Sequence, residues 1–370
     1  MIILRIILVF SVITIWAYSS NIVSILNNKK DNMDSNLEHK IAQMLMIGFN
    51  GTSASENSKI CHDIKTYDIG SIILFSKNIK NHNQLKRLTQ QLQQCSPHHN
   101  LLIAIDQEGG KVQRLKSKNG FYGKYPSAKR MSTQNANKAN IIYNQMALEL
   151  RNNGINFNLA PVVDLDINKK NYIIHKLERS FSADPLIVAK DASIFINAMH
   201  KYHILTSLKH FPGHGSSLGD THKGFVDVTN YWKSIELEPY QKLINKNIVD
   251  TIMIAHIFNK RIDVNYPASL SYKTVNKLLR VKMHYKGVVI TDDLQMGAIA
   301  KSYSIKTAIK LAINAGDDIL LFGNQVNKNN IITVEQFINI VKKLITNKQI
   351  NYTNILSSYS RIQSIKQKVK

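Results

Sequence analysis

Short runs of almost wholly apolar residues, many of them β-branched, recur along the chain at 69–75, 101–105, 155–160, 204–208, 251–255, 288–290 and 319–322. A half-exposed strand alternates apolar with polar residues, whereas a run without a polar face must be buried on both sides, as in a parallel sheet covered by helices. Between these runs lie amphipathic stretches, for example 84–92, 137–152, 187–202 and 234–244, whose apolar residues recur at helical spacing. Strand, helix and strand in repeated succession predict parallel pairing through crossover helices. A further strand near 46–49 brings the set to that of a closed (β/α)8 TIM-type barrel, an α/β fold, with a doubly wound open sheet as the alternative.

The position of the polar residues favours the barrel. Asp106, Asp164, Lys209, His210, His256 and Asp292 each stand at or just after the C-terminal end of an apolar run. In a barrel the loops leaving those ends converge on one mouth, so the same residues would meet there. A chain of 370 residues suits one barrel, and 44% hydrophobic with 20% charged residues excludes wholesale disorder. Apolar residues at helical spacing over 37–48 predict an opening helix, and 334–370 reads as largely helical, with nothing after it expected to form a second domain.

Ahead of the barrel, 2–16 is apolar apart from Arg5, Ser11 and Thr14, and Ala17-Tyr18-Ser19 supplies small residues of the kind a signal peptidase accepts. We therefore expect a signal peptide or membrane anchor at 1–26, a polar linker at 27–36 and a catalytic barrel at 37–370. The enzyme would be exported to the periplasm or tethered to the membrane through its N-terminal segment; translation from Met33 would instead give a cytoplasmic form. The net charge of +23 comes from Lys spread among Asn and Ile, not from a basic block with interleaved aromatics, so no nucleic-acid partner is expected. A weak, salt-sensitive attraction to an anionic polymer is compatible with it. Cys61 and Cys95 fall outside any zinc-ligand spacing, so no metal or other cofactor is implied, and two unpaired thiols are expected rather than a bridge. The chain is expected to act as a monomer.

Three motifs carry chemistry. Lys209-His210-Phe211-Pro212-Gly213-His214-Gly215 leads through a short loop to Asp220-Thr221-His222. Asp220 and His222 are close enough for a turn to join carboxylate and imidazole, an arrangement that fixes the tautomer and favours the proton-donating form. The loop's Gly213, Gly215 and Gly219 point to mobility. Thr291-Asp292-Asp293-Leu294 ends an apolar strand in two carboxylates, of which Asp292 emerges first and is the candidate nucleophile, while Asp293 is equally suited to capping the next helix. In Asp106-Gln107-Glu108-Gly109-Gly110, followed by Arg114, the glycines lack the spacing of a nucleotide-phosphate loop, which leaves Asp106 and Arg114 as binding residues. Arg179 is a further candidate clamp.

Taken together, these motifs resemble those of the β-N-acetylglucosaminidases of glycoside hydrolase family 3. The resemblance covers the chain from about Leu37 to the C-terminal helices. It implies a barrel, a retaining mechanism and release of terminal N-acetylglucosamine from peptidoglycan-derived fragments such as muropeptides or related amino-sugar oligosaccharides. Asp292 would be the nucleophile, His222 the acid/base and Asp220 its partner, with Asp106, Arg114, Arg179, Lys209 and His210 around the sugar ring. Lys111 and Thr221 stand where the family more often has Arg and Ser. Larger β-glucosidase relatives take their acid from a carboxylate on an additional domain; with none expected here, the proton donor must be local. Two other readings keep the same residues: an N-acetylglucosaminide phosphorylase, and a catalytically inactive wall-binding protein.

Overall fold

The computed structural model describes residues 35–98, 100–325 and 331–369. The expected signal or anchor at 1–26 lies outside them, as does the expected linker apart from residues 35 and 36. Those two begin α1, which runs over 35–43. The chain then alternates as expected: β1 (Leu45–Gly48), α2 (Lys59–Tyr67), β2 (Ser71–Leu74), α3 (His82–Cys95) and β3 (Leu102–Ile105). After the short α4 (Ala128–Met131) come α5 (Ala136–Asn152), β4 (Phe157–Asn158), α6 (Pro185–His200) and β5 (Leu205–Phe211). β6 (Val226–Asp227), α7 (Glu238–Asn245), β7 (Thr251–Ile254), β8 (Ile257–Phe258) and β9 (Val288–Thr291) follow. The last elements are α8 (Gly297–Ala300), α9 (Ile305–Ala315), β10 (Leu320–Phe322), α10 (Val334–Thr346) and α11 (Tyr352–Lys366).

Eight strands form one parallel sheet in the order β10, β1, β2, β3, β4, β5, β7, β9. The seam between β9 and β10 is made by a parallel bridge between Ile290 and Ile319, supported by the Thr291 N–H donating to Ile319 O at 3.0 Å. The sheet therefore closes on itself, and the open doubly wound alternative is set aside. Closure explains the apolar runs: Ile72, Ile103, Leu208, Ile252 and Val289 have no exposed surface, being covered by helices outside and by one another inside. Each such side chain contributes about 1.5–3 kcal/mol by leaving water. Helix starts are set locally, with Asn81, Asn135, Ser304 and Thr333 each accepting a backbone N–H of the first turn, at ~1 kcal/mol apiece.

Three features depart from expectation. The opening helix stops at residue 43 instead of running to 48, because Leu45–Gly48 is claimed by pairing with both β2 and β10. β6 and β8 form a separate two-stranded ribbon at the mouth, too short to leave a periodic trace in the sequence. Cys61 and Cys95 are not free thiols but form a disulfide, with Cα atoms 5.2 Å apart. The bridge arises because α2 and α3 pack side by side, bringing together residues 34 apart in the chain, a contact that depends on helix packing and not on local spacing.

Candidate active site

The exit of β3 builds one wall of the mouth. Asp106 leaves the strand, and the chain turns back at Gly109 and Gly110, whose φ angles of 100° and 58° suit glycine. Gln107 holds the turn: its side-chain oxygen accepts from the N–H groups of Arg114 and Leu115, while Asn158 of β4 brackets its backbone on both sides. Arg114 is thereby aimed at Asp106, donating to Oδ2 at 2.8 Å.

Opposite, the end of β5 sends in Lys209, whose Nζ lies 2.9 Å from Asp106 Oδ1 and 2.7 Å from Glu108 Oε1. Arg179 grips Glu108 with two bonds of 2.8 Å. Two carboxylates thus face three cations, leaving the cluster a net positive charge. Burial alone would neutralise both acids, but Lys209 and Arg114 outweigh it at Asp106, holding it below the usual carboxylate range. At Glu108, burial is likewise outweighed by Arg179 and Lys209, and its pKa falls to about 2. Neither acid is available as a proton donor at neutral pH; both are fixed anions that orient the cations.

His210 is clamped through Nδ1, 2.7 Å from Asp164 Oδ2, and Asp164 also accepts the backbone N–H groups of His210 and His214. Its Nε2 is turned toward Arg179 Nη2 at 3.4 Å.

Asp292, at the end of β9, accepts the N–H of Asp293 at 2.8 Å. Burial would raise its pKa, yet the fields of His256, His210 and His222 hold it below the usual value, so the side chain stays ionised at neutral pH. Asp293 also reaches the pocket but is engaged locally: its Oδ1 accepts from Gln295 N at 3.0 Å, and burial raises its pKa to about 6. It forms a local turn instead of capping α8, whose N-cap is Met296 without a side-chain bond.

His222 stands on the loop between β5 and β6. Its backbone and ring Nδ1 both bond Asp220 Oδ1, at 3.0 and 2.8 Å. The imidazole is 59% exposed. Behind it, the carbonyls of Thr221 and His222 accept the N–H groups of Ala298 and Gly297, so the tip of the loop rests on the start of α8. The loop glycines are there for close approach as much as for freedom. A side chain at Gly215 would collide with Leu165 O, one at Gly213 with Glu236, and one at Gly219 with Val226.

Asp106, Arg114, Arg179, Lys209, His210, His222 and Asp292 all line one pocket of about 580 Å³, a size suited to a small ligand. Asp220 is not among the lining residues and stands behind His222. Glu108 and His214 also line the pocket and were not singled out from sequence, as does Asp293, which was weighed as a helix cap. Glu108 carried a usable signal: two residues after Asp106 in extended chain, it belongs on the same side. Among the described residues, no group of three or more His, Cys, Asp or Glu side chains is placed to hold a metal ion, and no helix is long and apolar enough to cross a membrane.

Comparison with known proteins fits this arrangement. The chain is 33% identical over 327 residues to "Beta-hexosaminidase A" of Pseudoalteromonas piscicida, covering 83% of this chain and 54% of that protein. It is 36% identical over 264 residues to the "Beta-hexosaminidase" of Tolumonas auensis, covering 69% of this chain and 76% of that protein. Among solved structures, a glycoside hydrolase family 3 β-N-acetylglucosaminidase from Paenibacillus superposes with a TM-score of 0.81 at 30% identity, covering 90% of this chain and 62% of that one. The chain thus spans about half of the first relative and under two thirds of this structure. The β-N-acetylhexosaminidase of Beutenbergia cavernae gives a TM-score of 0.79 at 25% identity, covering 90% of this chain and 98% of that one. The sequence model of the Glycosyl hydrolase family 3 N terminal domain matches residues 36–365, which is nearly the whole described structure, and the chain belongs to that family.

Proposed function

We propose that the protein is a retaining exo-β-N-acetylhexosaminidase that releases terminal N-acetylglucosamine through a covalent glycosyl-Asp292 intermediate. One observation carries the reading: a partly buried, ionised carboxylate and a loop-borne imidazole line the same sugar-sized pocket. With Nδ1 of His222 bonded to Asp220, Nε2 is the nitrogen left for proton exchange. In the first step protonated His222 gives its Nε2 proton to the glycosidic oxygen as Asp292 attacks the anomeric carbon and the bond to the leaving group breaks. In the second, water attacks the same carbon, its proton passes to His222, and Asp292 is released as carboxylate. Two displacements retain the anomeric configuration.

The sugar ring would be held by Asp106, Arg114, Arg179, Lys209 and His210. Each Asp106 oxygen receives one cation, and a carboxylate has about four acceptor sites, so hydroxyl groups of the ring can still donate to it. The names of the relatives support an amino-sugar substrate. For the aglycone we favour peptidoglycan fragments, a choice the net charge of +23 supports through attraction to an anionic polymer. Pairing of Cys61 with Cys95 supports export to an oxidising compartment, with the N-terminal segment as signal or anchor.

Turnover of a chromogenic N-acetylglucosaminide tests the assignment. Asp292→Asn should abolish it, and a fully active variant would remove Asp292 from the mechanism. Nuclear magnetic resonance of the first-formed anomer should show the β-sugar; accumulation of sugar-1-phosphate when phosphate is present would replace hydrolysis by phosphorolysis.

A further inference from the structure

The loop that carries His222 has two unlike halves. Residues 212–217 are buried, whereas Leu218, His222, Lys223 and Phe225 are exposed. The buried half lies in no strand, yet its backbone is hydrogen-bonded almost as if it did. Asn171 Nδ2 donates to His214 O at 2.8 Å and Gly215 O at 3.1 Å, and Asn168 Nδ2 to Ser216 O at 3.1 Å and Ser217 O at 3.0 Å. On the other side the N–H groups of Gly215 and Ser216 converge on Glu236 Oε2, at 2.9 and 3.3 Å. The second oxygen of Glu236 accepts Lys233 N at 3.4 Å, tying the carboxyl to the turn before α7. Glu236 is fully buried, and Gly213 has no side chain because Glu236 fills the space where one would project.

We propose that Glu236 is a positioning residue for catalysis: its side chain grips the base of the loop and so sets where the Asp220–His222 pair stands relative to Asp292. The proposal rests on His222 being the acid/base. Glu236 lies outside the pocket lining and touches no substrate; it acts through the backbone of Gly215 and Ser216. Both N–H groups meet on a single carboxyl oxygen, so one side chain fixes the backbone of two successive loop residues. Loosening that grip displaces the proton donor while leaving Asp292 and the ring-binding cluster in place.

Such a displacement has a signature that general damage lacks. A leaving group that departs readily as an anion needs little protonation, so a misplaced acid slows poor leaving groups selectively. Glu236→Ala should lower kcat/KM for an alkyl or disaccharide N-acetylglucosaminide by roughly 10²-fold, within the range ascribed to general acid catalysis. With a dinitrophenyl N-acetylglucosaminide kcat/KM, which reports only the first step, should change only a few-fold, while kcat falls because attack by water needs the same imidazole as base. Glu236→Gln keeps an acceptor oxygen and should restore most of the loss. Glu236→Asp, which withdraws the carboxylate by one methylene, should give an intermediate loss and serves if the alanine variant does not fold.

Hydrogen exchange of the Gly215 and Ser216 amides supplies a readout that does not depend on turnover. It should quicken in the Ala and Asp variants and not in the Gln variant. Equal losses of kcat/KM on both substrate types, or unchanged exchange at those two amides, would overturn the role. If His222→Ala itself shows no leaving-group dependence, the acid/base assignment fails instead, and the exchange measurement still judges the grip of Glu236.

Discussion

His210 and His222 are both held at Nδ1 by an aspartate, at 2.7 and 2.8 Å, yet the two pairs sit in opposite surroundings. The Asp164 side chain has no exposed surface and takes two backbone N–H groups besides the His210 ring, so that pair is locked to the scaffold on every side. Asp220 and His222 bond chiefly to each other, on the exposed part of a loop, with the imidazole 59% exposed. The same pairing is anchored through both side chains in the barrel rim, but on the loop only its backbone rests on α8 and the imidazole faces solvent; the proposed roles of ring-binding group and proton donor rest on that difference. Burial and backbone anchoring, not residue type, separate the two pairs.

The largest expected effect separates the pairs by what is lost. His222→Ala should reduce kcat on an unactivated N-acetylglucosaminide by about 10²–10⁴-fold without moving the melting temperature; a clear fall in Tm would mean that the loop pair is structural. His210→Ala should do the reverse in kind. It leaves the buried Asp164 carboxylate without its ring partner, which should cost about 3–5 kcal/mol of stability, measured by denaturant unfolding, along with weaker substrate binding. If the two variants behaved alike, the contrast between the pairs would collapse.

Replacing both Cys61 and Cys95 by Ser tests whether stability and chemistry are separable. The loop they close spans 34 residues, so the loss should be about 4 kcal/mol, with kcat/KM unchanged because neither residue lines the pocket.

The smallest effect is in the pH dependence of Tm. Burial raises the pKa of Asp164, but His210 more than offsets it, leaving the value depressed. Its contribution is present above the ordinary carboxylate range and is lost as pH falls through its folded value. Glu108, at about 2, adds to the same acid limb. Glu236 and Asp293 have the opposite sign: burial raises them to about 7 and about 6, so their ionisation costs stability as pH climbs from ~4 through neutrality. Tm should therefore peak in mildly acid solution and decline by a few degrees toward each side. Glu236→Gln should flatten the alkaline side; an unchanged alkaline slope would remove Glu236 from that account.

The strands were legible because closure buries them on both faces, and such burial demands continuous apolar runs such as 288–290 and 251–255. The pocket residues were legible where a motif sits directly on a strand end, as at Asp106, Lys209 and Asp292. Glu236 and Asn171 gave no sign, since each acts on loop backbone that any residue possesses. Glu108 was overlooked because its importance lies in Lys209 and Arg179, which are remote in sequence.

Local sequence thus determined the order of strands and helices, the caps that start the helices, and which polar groups leave the strands toward a common mouth. Tertiary structure alone decided that Cys61 meets Cys95, that Lys209 bridges Asp106 and Glu108, and that one histidine pair is fixed while the other stays exposed. The reason is physical. Apolar periodicity reports how each segment sits relative to solvent, but a contact between distant side chains depends on barrel curvature and helix packing, to which every strand contributes.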